Sequence, residues 1–329
     1  LCLTNEEFGR TFPESVTIYG SAINDVVNVT NDSWRNWVVT TNLGAGDDQM
    51  RIGSGTGRAH SVDMGTGDDR FIIINLSNGL AYNGGAGTDW IGFFHPSTSN
   101  KSADAQTYTL NSGVTSNFEN IWGSMHGDTL TGDSNANIII GAEGADTLNG
   151  GAGNDILWGD CSSSACYNLI GSSYADDDSD TPANDILNGG AGDDTIYGDG
   201  GDDTIDGGAG NDTIISGSGN DVIVITSTSG SDTLTDFTDG TDAIGFDSSI
   251  TSSNLSIVAS GSDTLIKNGS DILLTLTGIS SSNVTAADLQ STSTDAQTLN
   301  GTSGNDMLIG GAGNDTFNPY NDITIIRGL

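Results

Sequence analysis

The residues best suited to chemistry in this sequence are aspartates that recur mostly at nine-residue intervals. Each stands sixth in a nonapeptide G-G-x-G-x-D-x-U-x, where U is a large aliphatic residue, and GGAGNDTII at 207–215 is a complete copy. Carboxylate and backbone carbonyl oxygens are the ligands that Ca²⁺ prefers, about six to eight to an ion. The repeat therefore predicts several Ca²⁺ ions, with these metal-binding residues: Asp128, Asp146, Asp155, Asp185, Asp194, Asp203, Asp212 and Asp221.

Looser copies of the same turn flank the regular block. Upstream turns 20–21 residues apart, and a restart of the repeat downstream, add five predicted Ca²⁺ ligands: Asp48, Asp69, Asp89, Asp306 and Asp315. Asp25 is interpreted as an earlier and weaker member of the upstream set. Asn137 occupies the ligand position of one regular frame, which predicts a weak or empty site because an amide carries no charge.

The same spacing predicts the fold that must position these carboxylates. Glycine adopts positive φ without steric cost, so the first six residues of a nonapeptide can turn sharply while the last three are extended. The eighth residue, such as Ile205 or Ile214, would point inward, and the seventh, mostly Thr, would point outward. We expect an all-β protein: a parallel β-roll (a calcium-binding β-solenoid) with a small antiparallel β capping segment.

Two nonapeptides make one coil of 18 residues, so alternate frames stack on the same side of the roll. One predicted column comprises Asp128, Asp146, Asp185, Asp203 and Asp221, and the other comprises Asp155, Asp194 and Asp212. Carboxylates one strand spacing apart, roughly 4.7–4.9 Å, repel one another unless a cation lies between them. One inward aliphatic residue in nine offers too little burial to offset backbone ordering, so Ca²⁺ is expected to supply free energy of folding.

Changes in periodicity predict four segments. These are a diverged β-solenoid with coils of about 20 residues at 1–122, the regular β-roll at 123–225, a β-rich capping segment at 226–291, and the start of a second repeat block at 292–329. The capping segment alternates Ser or Thr with aliphatic residues, which is typical of antiparallel strands. Such a cap would cover the strand edges that a solenoid end exposes.

A loop insertion at about 161–181 interrupts the regular roll without changing the phase of its strands. Cys161 and Cys166 lie in this insertion and are predicted to form a disulfide, which would stabilise so short a loop by roughly 2 kcal/mol. Two free thiols are the alternative.

The charge of the chain limits its partners. It carries 44 acidic and 8 basic residues, a net charge of −36. Phosphate binding requires clustered Lys and Arg, so nucleic acid is excluded as an expected partner. No run of 18 apolar residues occurs, so membrane insertion is not expected either.

The nonapeptides resemble those of the haemolysin-type RTX family, clearly over 123–224 and 301–318 and in diverged form over 43–92. GSDTLTDFTDGTDAIGF at 230–246 is similar to the segment that follows the roll in serralysin-type C-terminal domains. NFENIWGS with GDTLTGD, ending at residue 133, is similar to the entry into the repeats of very large RTX surface proteins. The resemblance implies a right-handed β-roll with Ca²⁺ in its turns. It also implies bacterial type I secretion to the extracellular space or cell surface, although the family usually avoids cysteine.

No catalytic centre is predicted. The only histidines are His60, His95 and His126, and the chain contains neither H-E-x-x-H nor G-x-S-x-G. We expect a non-enzymatic extracellular structural protein, a module of a surface layer, adhesive filament or matrix, that folds on Ca²⁺ binding after secretion. It would self-associate head-to-tail or bind a cell-surface or matrix partner. The alternative is the C-terminal calcium-binding and secretion domain of a protease, lipase or cytolysin whose catalytic part lies outside this chain.

Overall fold

The structure is a computed structural model of the 329-residue chain. It describes residues 2–3, 15–29, 38–52, 61–73, 81–93, 105–113, 115–161, 182–250 and 254–292, and four strands at 298–300, 306–310, 316–318 and 323–327. The chain divides into two units, Leu1–Thr147 with Cys161–Thr181, and Leu148–Asp160 with Pro182–Leu329. We call them unit 1 and unit 2.

Unit 1 is built from short parallel strands separated by turns. Its strands are β1 (Cys2–Leu3), β2 (Ser15–Tyr19), β3 (Val26–Val29), β4 (Val38–Asn42), β5 (Gln49–Ile52), β6 (Ser61–Asp63), β7 (Arg70–Ile73), β8 (Ala81–Asn83), β9 (Trp90–Gly92), β10 (Thr107–Thr109), β11 (Thr115–Ser116), β12 (Asn120–Trp122), β13 (Thr129–Thr131) and β14 (Ile138–Ile140). One parallel sheet joins β1, β3, β5, β7, β9, β12 and β14 in that order. A second joins β2, β4, β6, β8 and β11, and β10 pairs in parallel with β13.

Unit 2 has the same connectivity and adds an antiparallel element. Its strands are β15 (Thr147–Ala152), β16 (Ile156–Trp158), β17 (Ile186–Ala191), β18 (Thr195–Tyr197), β19 (Thr204–Ala209), β20 (Thr213–Ile215), β21 (Val222–Ile225), β22 (Asp232–Leu234), β23 (Ala243–Phe246), β24 (Leu255–Ser260), β25 (Asp263–Asn268), β26 (Asp271–Leu276), β27 (Leu289–Ser291), β28 (Thr298–Asn300), β29 (Asp306–Gly310), β30 (Thr316–Asn318) and β31 (Ile323–Arg327). Parallel pairing joins β16, β18, β20, β22 and β26 on one side, and β17, β19, β21, β23 and β27 on the other. Strands β28 and β30, and β29 and β31, form two further parallel pairs.

The core of unit 2 is a narrow stack of aliphatic side chains from the eighth repeat position. Ile196 pairs in register with Ile214, and both side chains are fully buried. The seventh residues, such as Thr195 and Thr213, are half-buried and face outward. This alternation confirms the inward and outward positions expected from the repeat, because successive residues of a strand point to opposite faces.

Unit 1 has coils of about 20 residues and fills its interior with aromatic rings. Phe71 lies 4.9 Å from Tyr82 between ring centroids, and Phe93 lies 5.1 Å from Tyr108. All four side chains are buried.

The predicted capping segment contains both parallel and antiparallel strands. Strands β22, β23 and β27 extend the parallel sheets of unit 2, and among the described residues antiparallel pairing is confined to β24, β25 and β26. A 3-10 turn, Ala286–Asp288, precedes β27 and carries a capping box between Thr285 and Asp288. The antiparallel cap is therefore confirmed, whereas the four segment boundaries remain a prediction.

The fold class predicted from the sequence is confirmed: the chain is a parallel β-solenoid with an antiparallel cap. The described residues contain no α-helix, and none of their helical segments has the length and apolar character needed to cross a membrane.

Candidate metal centre

The turns of the regular repeat stack backbone on backbone. Gly190 and Gly192 have φ values of 105° and 141°, in the region that favours glycine. A Cβ atom added to Gly190 would lie 2.2 Å from the carbonyl oxygen of Gly151, and one added to Gly192 would lie 1.7 Å from that of Gly153. Only glycine fits at these two positions, so the glycines hold successive turns at the spacing that brings their aspartates together.

The aspartates of stacked turns form hydrogen-bonded columns. The backbone N–H of one aspartate donates to the Oδ1 atom of the aspartate one coil further along, and every member is buried. The donor–acceptor distances are 2.6 Å for Asp128–Asp146, 2.7 Å for Asp155–Asp194, 2.8 Å for Asp194–Asp212, 2.9 Å for Asp185–Asp203 and 3.0 Å for Asp203–Asp221. Within each unit the structure thus brings together the aspartates that the repeat predicts to stack.

The second oxygen of many of these carboxylates is buried without a hydrogen bond. Among the described residues, no partner lies within bonding distance of the Oδ2 atoms of Asp48, Asp69, Asp89, Asp194, Asp203, Asp212 and Asp221. In the regular repeats this oxygen lies over the first glycine of its own turn: a Cβ atom added to Gly189 would come within 2.4 Å of the Asp194 Oδ2 atom. A buried oxygen that lacks a donor costs on the order of 1–3 kcal/mol, so a ligand that binds this oxygen would stabilise the turn.

Burial raises the pKa of these carboxyl groups, and the charges of neighbouring carboxylates raise it further. The pKa rises to about 7 for Asp89, Asp194 and Asp203, and to about 6 for Asp69 and Asp221. Without a cation, these columns hold their full negative charge poorly near neutral pH.

The donor set of the turns suits a hard cation. Each of these seven turns offers one carboxylate with an unbonded buried oxygen, and its glycine-rich backbone offers carbonyl oxygens, which are the ligand types that Ca²⁺ accepts. No three side chains of the His, Cys, Asp or Glu type converge on one point in the part of the chain that the structure describes. Backbone carbonyls would therefore complete the shell, and the assignment of individual aspartates as ligands remains a prediction.

The looser turns of unit 1 form a column of the same kind. The N–H groups of Asp25, Asp48 and Asp69 donate to the Oδ1 atoms of Asp48, Asp69 and Asp89 at 2.7, 2.7 and 2.8 Å. The N–H of Asp89 donates in turn to Glu119 at 2.7 Å. The sequence did not predict Glu119, because it follows Asp89 by 30 residues and the earlier spacing is 20–21.

Two further aspartates extend the columns of unit 2 into the capping segment. The N–H of Asp212 donates to Asp232 at 3.0 Å, and that of Asp221 donates to Asp242 at 3.3 Å. The nine-residue frame is lost there, because Asp232 follows Asp212 by 20 residues and Asp242 follows Asp221 by 21. The sequence analysis therefore did not predict either aspartate as a column member. The glycine turn Ser229-Gly230-Ser231-Asp232 was the available signal.

Residues at the fifth repeat position form another column, in which the hydrogen bonds run the opposite way. Here the N–H of a residue donates to the side chain one coil earlier in the chain, and not one coil later. The N–H of Asp193 donates to the Asn154 side chain at 3.1 Å, and the N–H of Asn211 donates to the Asp193 side chain at 2.8 Å. The fifth residue is written as x in the consensus, yet it is Asn or Asp in most frames of this chain, which could have revealed the column.

Some predicted residues lie outside the described part of the chain. Asp315, Cys166, His60 and His95 are in this group, and only the backbone of Asp306 is described, as the first residue of β29. Cys161 is buried and disulfide-bonded, and its pairing with Cys166 remains a prediction.

A match to a protein-family model supports the same interpretation of the repeats. The family model of the RTX calcium-binding nonapeptide repeat matches residues 122–160, 179–214, 188–223, 199–234 and 291–322. Among solved structures, the chain is similar to the extracellular lipase LipA from Serratia marcescens, with 16% sequence identity and a TM-score of 0.26 over 67% of this chain and 44% of that chain. This chain therefore spans less than half of that lipase chain.

No curated protein matches the chain. The serralysin-type segment predicted at 230–246 is not confirmed by these matches. The matched residues and the stacked aspartate turns together show that the chain contains RTX calcium-binding nonapeptide repeats, and such repeats imply a calcium-binding, secreted protein.

Proposed function

We propose that this chain is a calcium-dependent extracellular structural protein that folds when Ca²⁺ binds in its glycine turns after secretion. The Oδ2 atoms described above carry the proposal, because each is buried and lacks a hydrogen-bond donor among the described residues. A bound divalent cation would satisfy these oxygens and remove the repulsion within each column.

The energetics couple Ca²⁺ binding to folding. A ligand that binds only the folded state stabilises it by RT ln(1 + [L]/Kd), which is roughly 1.4 kcal/mol per site at tenfold excess over Kd. Several such sites together match the marginal stability of a typical domain, about 5–15 kcal/mol. At submicromolar cytosolic calcium the same contribution is close to zero, so the chain would stay unfolded until it meets millimolar calcium outside the cell.

A calcium titration followed by far-ultraviolet circular dichroism tests this function. We expect a cooperative transition from coil to β-structure, and Asp203→Ala or Asp212→Ala should move its midpoint to higher calcium. Asp271→Ala is the matched control, since Asp271 is exposed and lies outside the columns. A wild-type chain that is equally folded in excess EDTA would refute the proposal.

The structural role is further proposed to include head-to-tail self-association. Three large apolar side chains of unit 1 support it, because Tyr19, Ile23 and Val26 are 79%, 71% and 50% exposed. Sedimentation velocity should show larger species in calcium, and chelation should dissociate them. Replacing Tyr19 and Ile23 by Ser should give monomers, whereas Ile186→Ser, at an exposed position of unit 2, should not. Assemblies that survive chelation would count against the idea.

We further propose that this structural protein is a module of a surface layer, an adhesive filament or a matrix. The sequence that flanks this chain in its gene tests the structural role against the alternative, a calcium-binding domain of a secreted enzyme. Further nonapeptide repeats would favour a scaffold, whereas a zinc-protease or serine-hydrolase motif would favour a secreted enzyme.

A further inference from the structure

Eleven of the turns that contribute to the columns fall into two classes. In four of them, the backbone N–H of the residue four positions before the column residue donates to the side chain of that column residue. These bonds measure 2.6 Å for Ser21–Asp25, 2.5 Å for Ser124–Asp128, 2.8 Å for Asp133–Asn137 and 2.7 Å for Thr238–Asp242. We call these the self-capped turns.

The other seven of these turns have a different backbone at the same position. We define the open turns as those of the seven aspartates whose Oδ2 atom is buried without a hydrogen bond among the described residues. The residue four positions earlier has positive φ in every open turn: Gly44 (98°), Gly65 (108°), Gly85 (117°), Gly190 (105°), Asp199 (68°), Gly208 (94°) and Gly217 (97°). None of Ser21, Ser124, Asp133 and Thr238 has positive φ.

This correspondence has a direct physical cause. Rotation of φ into the positive region reorients the N–H bond, and the hydrogen bond to the carboxylate four residues later is then lost. Glycine reaches that region freely, whereas a serine or threonine there would be strained. The residue at this position therefore determines whether a backbone donor or some other group must satisfy the second carboxylate oxygen.

We propose that this residue decides which turns bind Ca²⁺, and that the turns of Asp25, Asp128, Asn137 and Asp242 hold no ion. The inference rests on the proposed function for the open turns, and it revises the sequence-based assignment of Asp128 as a ligand.

The hydrogen bonds of Asp128 show how a self-capped turn satisfies its own carboxylate. Its Oδ1 atom accepts from the Gln106 N–H at 2.6 Å and the Ser124 hydroxyl at 3.0 Å, and its Oδ2 atom accepts from the Ser124 N–H at 2.5 Å. Three donors already stabilise this carboxylate, so a cation would gain less here than in an open turn, where the Oδ2 atom has no donor among the described residues.

The neutral side chain of Asn137 is likewise satisfied by hydrogen bonds within the protein. Its Oδ1 atom accepts from the Asp133 N–H, and its Nδ2 group donates to the Glu119 carbonyl at 2.8 Å. Asp25 is the first described member of its column and Asp242 is the last of its own. The self-capped turns thus include column ends, where a carboxylate has a stacked neighbour on one side only.

Restoring the glycines tests the proposal. The double variant Ser124→Gly/His126→Gly gives the turn of Asp128 the two glycines that have positive φ in open turns such as Gly190–Asp194. Native mass spectrometry should then find one more Ca²⁺ per chain than in the wild type. The matched control, Ser124→Thr/His126→Thr, carries β-branched residues, which strongly disfavour positive φ, and should leave the ion count unchanged. A folded double-glycine variant without an additional ion would overturn the proposal.

A second arm uses the wild-type turn. Asp128→Asn should leave the number of bound ions unchanged, whereas Asp203→Asn in an open turn should remove at least one. Loss of an ion from Asp128→Asn overturns the proposal even if the glycine variant fails to fold. No loss from Asp203→Asn would instead contradict the proposed function, so the two failures are distinguishable.

Discussion

The backbone N–H of Asp203 donates a 3.0 Å hydrogen bond to the Oδ1 atom of Asp221, one coil further along the chain. This bond occupies one oxygen of the carboxylate and leaves the Oδ2 atom of Asp221 buried without a hydrogen bond among the described residues. The same aspartate therefore fixes the register of two coils and presents an oxygen to a cation. Structure and ion binding are coupled through a single side chain.

Replacing one column carboxylate by its amide should separate these two roles. In Asp194→Asn the Oδ1 atom can still accept from the Asp155 N–H, which donates at 2.7 Å in the wild type. In excess calcium we expect the free energy of unfolding to fall by about 1–2 kcal/mol, because one ion site is weakened. Urea unfolding measures this, with Asp271→Asn as the control at an exposed position. A variant as stable as the wild type in calcium would show that Asp194 does not contribute to ion binding.

The metal-free protein should be more ordered in mild acid than at neutral pH. Burial and neighbouring carboxylates raise the pKa of Asp194 and Asp203 to about 7, above the ordinary value near 3.9. Because the folded state then binds more protons than the unfolded state, the stability linked to these groups is full below about pH 4 and is lost as the pH rises through about 7. Circular dichroism in EDTA should therefore show more β-structure at pH 5.5 than at pH 8, and the reverse order would contradict the assigned environments.

A methyl group at a stacked glycine should disrupt the roll far more than one at an exposed turn. In Gly192→Ala the new Cβ atom would lie 1.7 Å from the carbonyl oxygen of Gly153, which forces successive turns apart. Gly269→Ala is a matched control, since Gly269 also has positive φ, at 63°, but nothing lies within 4 Å of the added atom.

We expect a loss of more than about 3 kcal/mol for the first variant and about 1–2 kcal/mol for the second, measured by urea unfolding in calcium. Equal losses would mean that close approach of the turn backbones contributes little to stability.

The aliphatic stack should contribute independently of the ions. Ile205 is fully buried and pairs in register with Leu187 and Ile223. Ile205→Ala should lower the free energy of unfolding by about 2–5 kcal/mol in excess calcium, as large-to-small core substitutions do. Ile186→Ala, one residue from the stack and 54% exposed, should cost less than about 1 kcal/mol. Similar losses in the two variants would contradict the assigned core.

Much of the fold follows from the nonapeptide alone, because its physical requirements are local. Glycines that must turn, an aliphatic residue that must be buried and an outward threonine fix the strands and their parallel stacking. Asp194, Asp203 and Asp212 could therefore be placed in columns before the structure was known.

The remaining features, which are the irregular column members and the hydrogen bonding of individual turns, depend on contacts between coils that the sequence of one repeat does not determine. Glu119 and Asp232 join their columns after coils of irregular length, so spacing did not reveal them. The different state of Asp128 depends on the backbone φ of Ser124, four residues away, and not on the aspartate itself. The direction of the hydrogen bonds in each column is likewise set by how whole turns stack.

Amide hydrogen exchange with and without calcium tests the central claim most directly, because it reports on the column N–H groups themselves. At pH 7.5 in excess calcium, the amides of Asp194, Asp203 and Asp212 should be strongly protected, since each donates to a carboxylate of the next coil. In excess EDTA these amides should exchange at nearly the rate of an unfolded chain. Undiminished protection in EDTA would contradict the account, because it would mean that the roll holds its turns together without calcium.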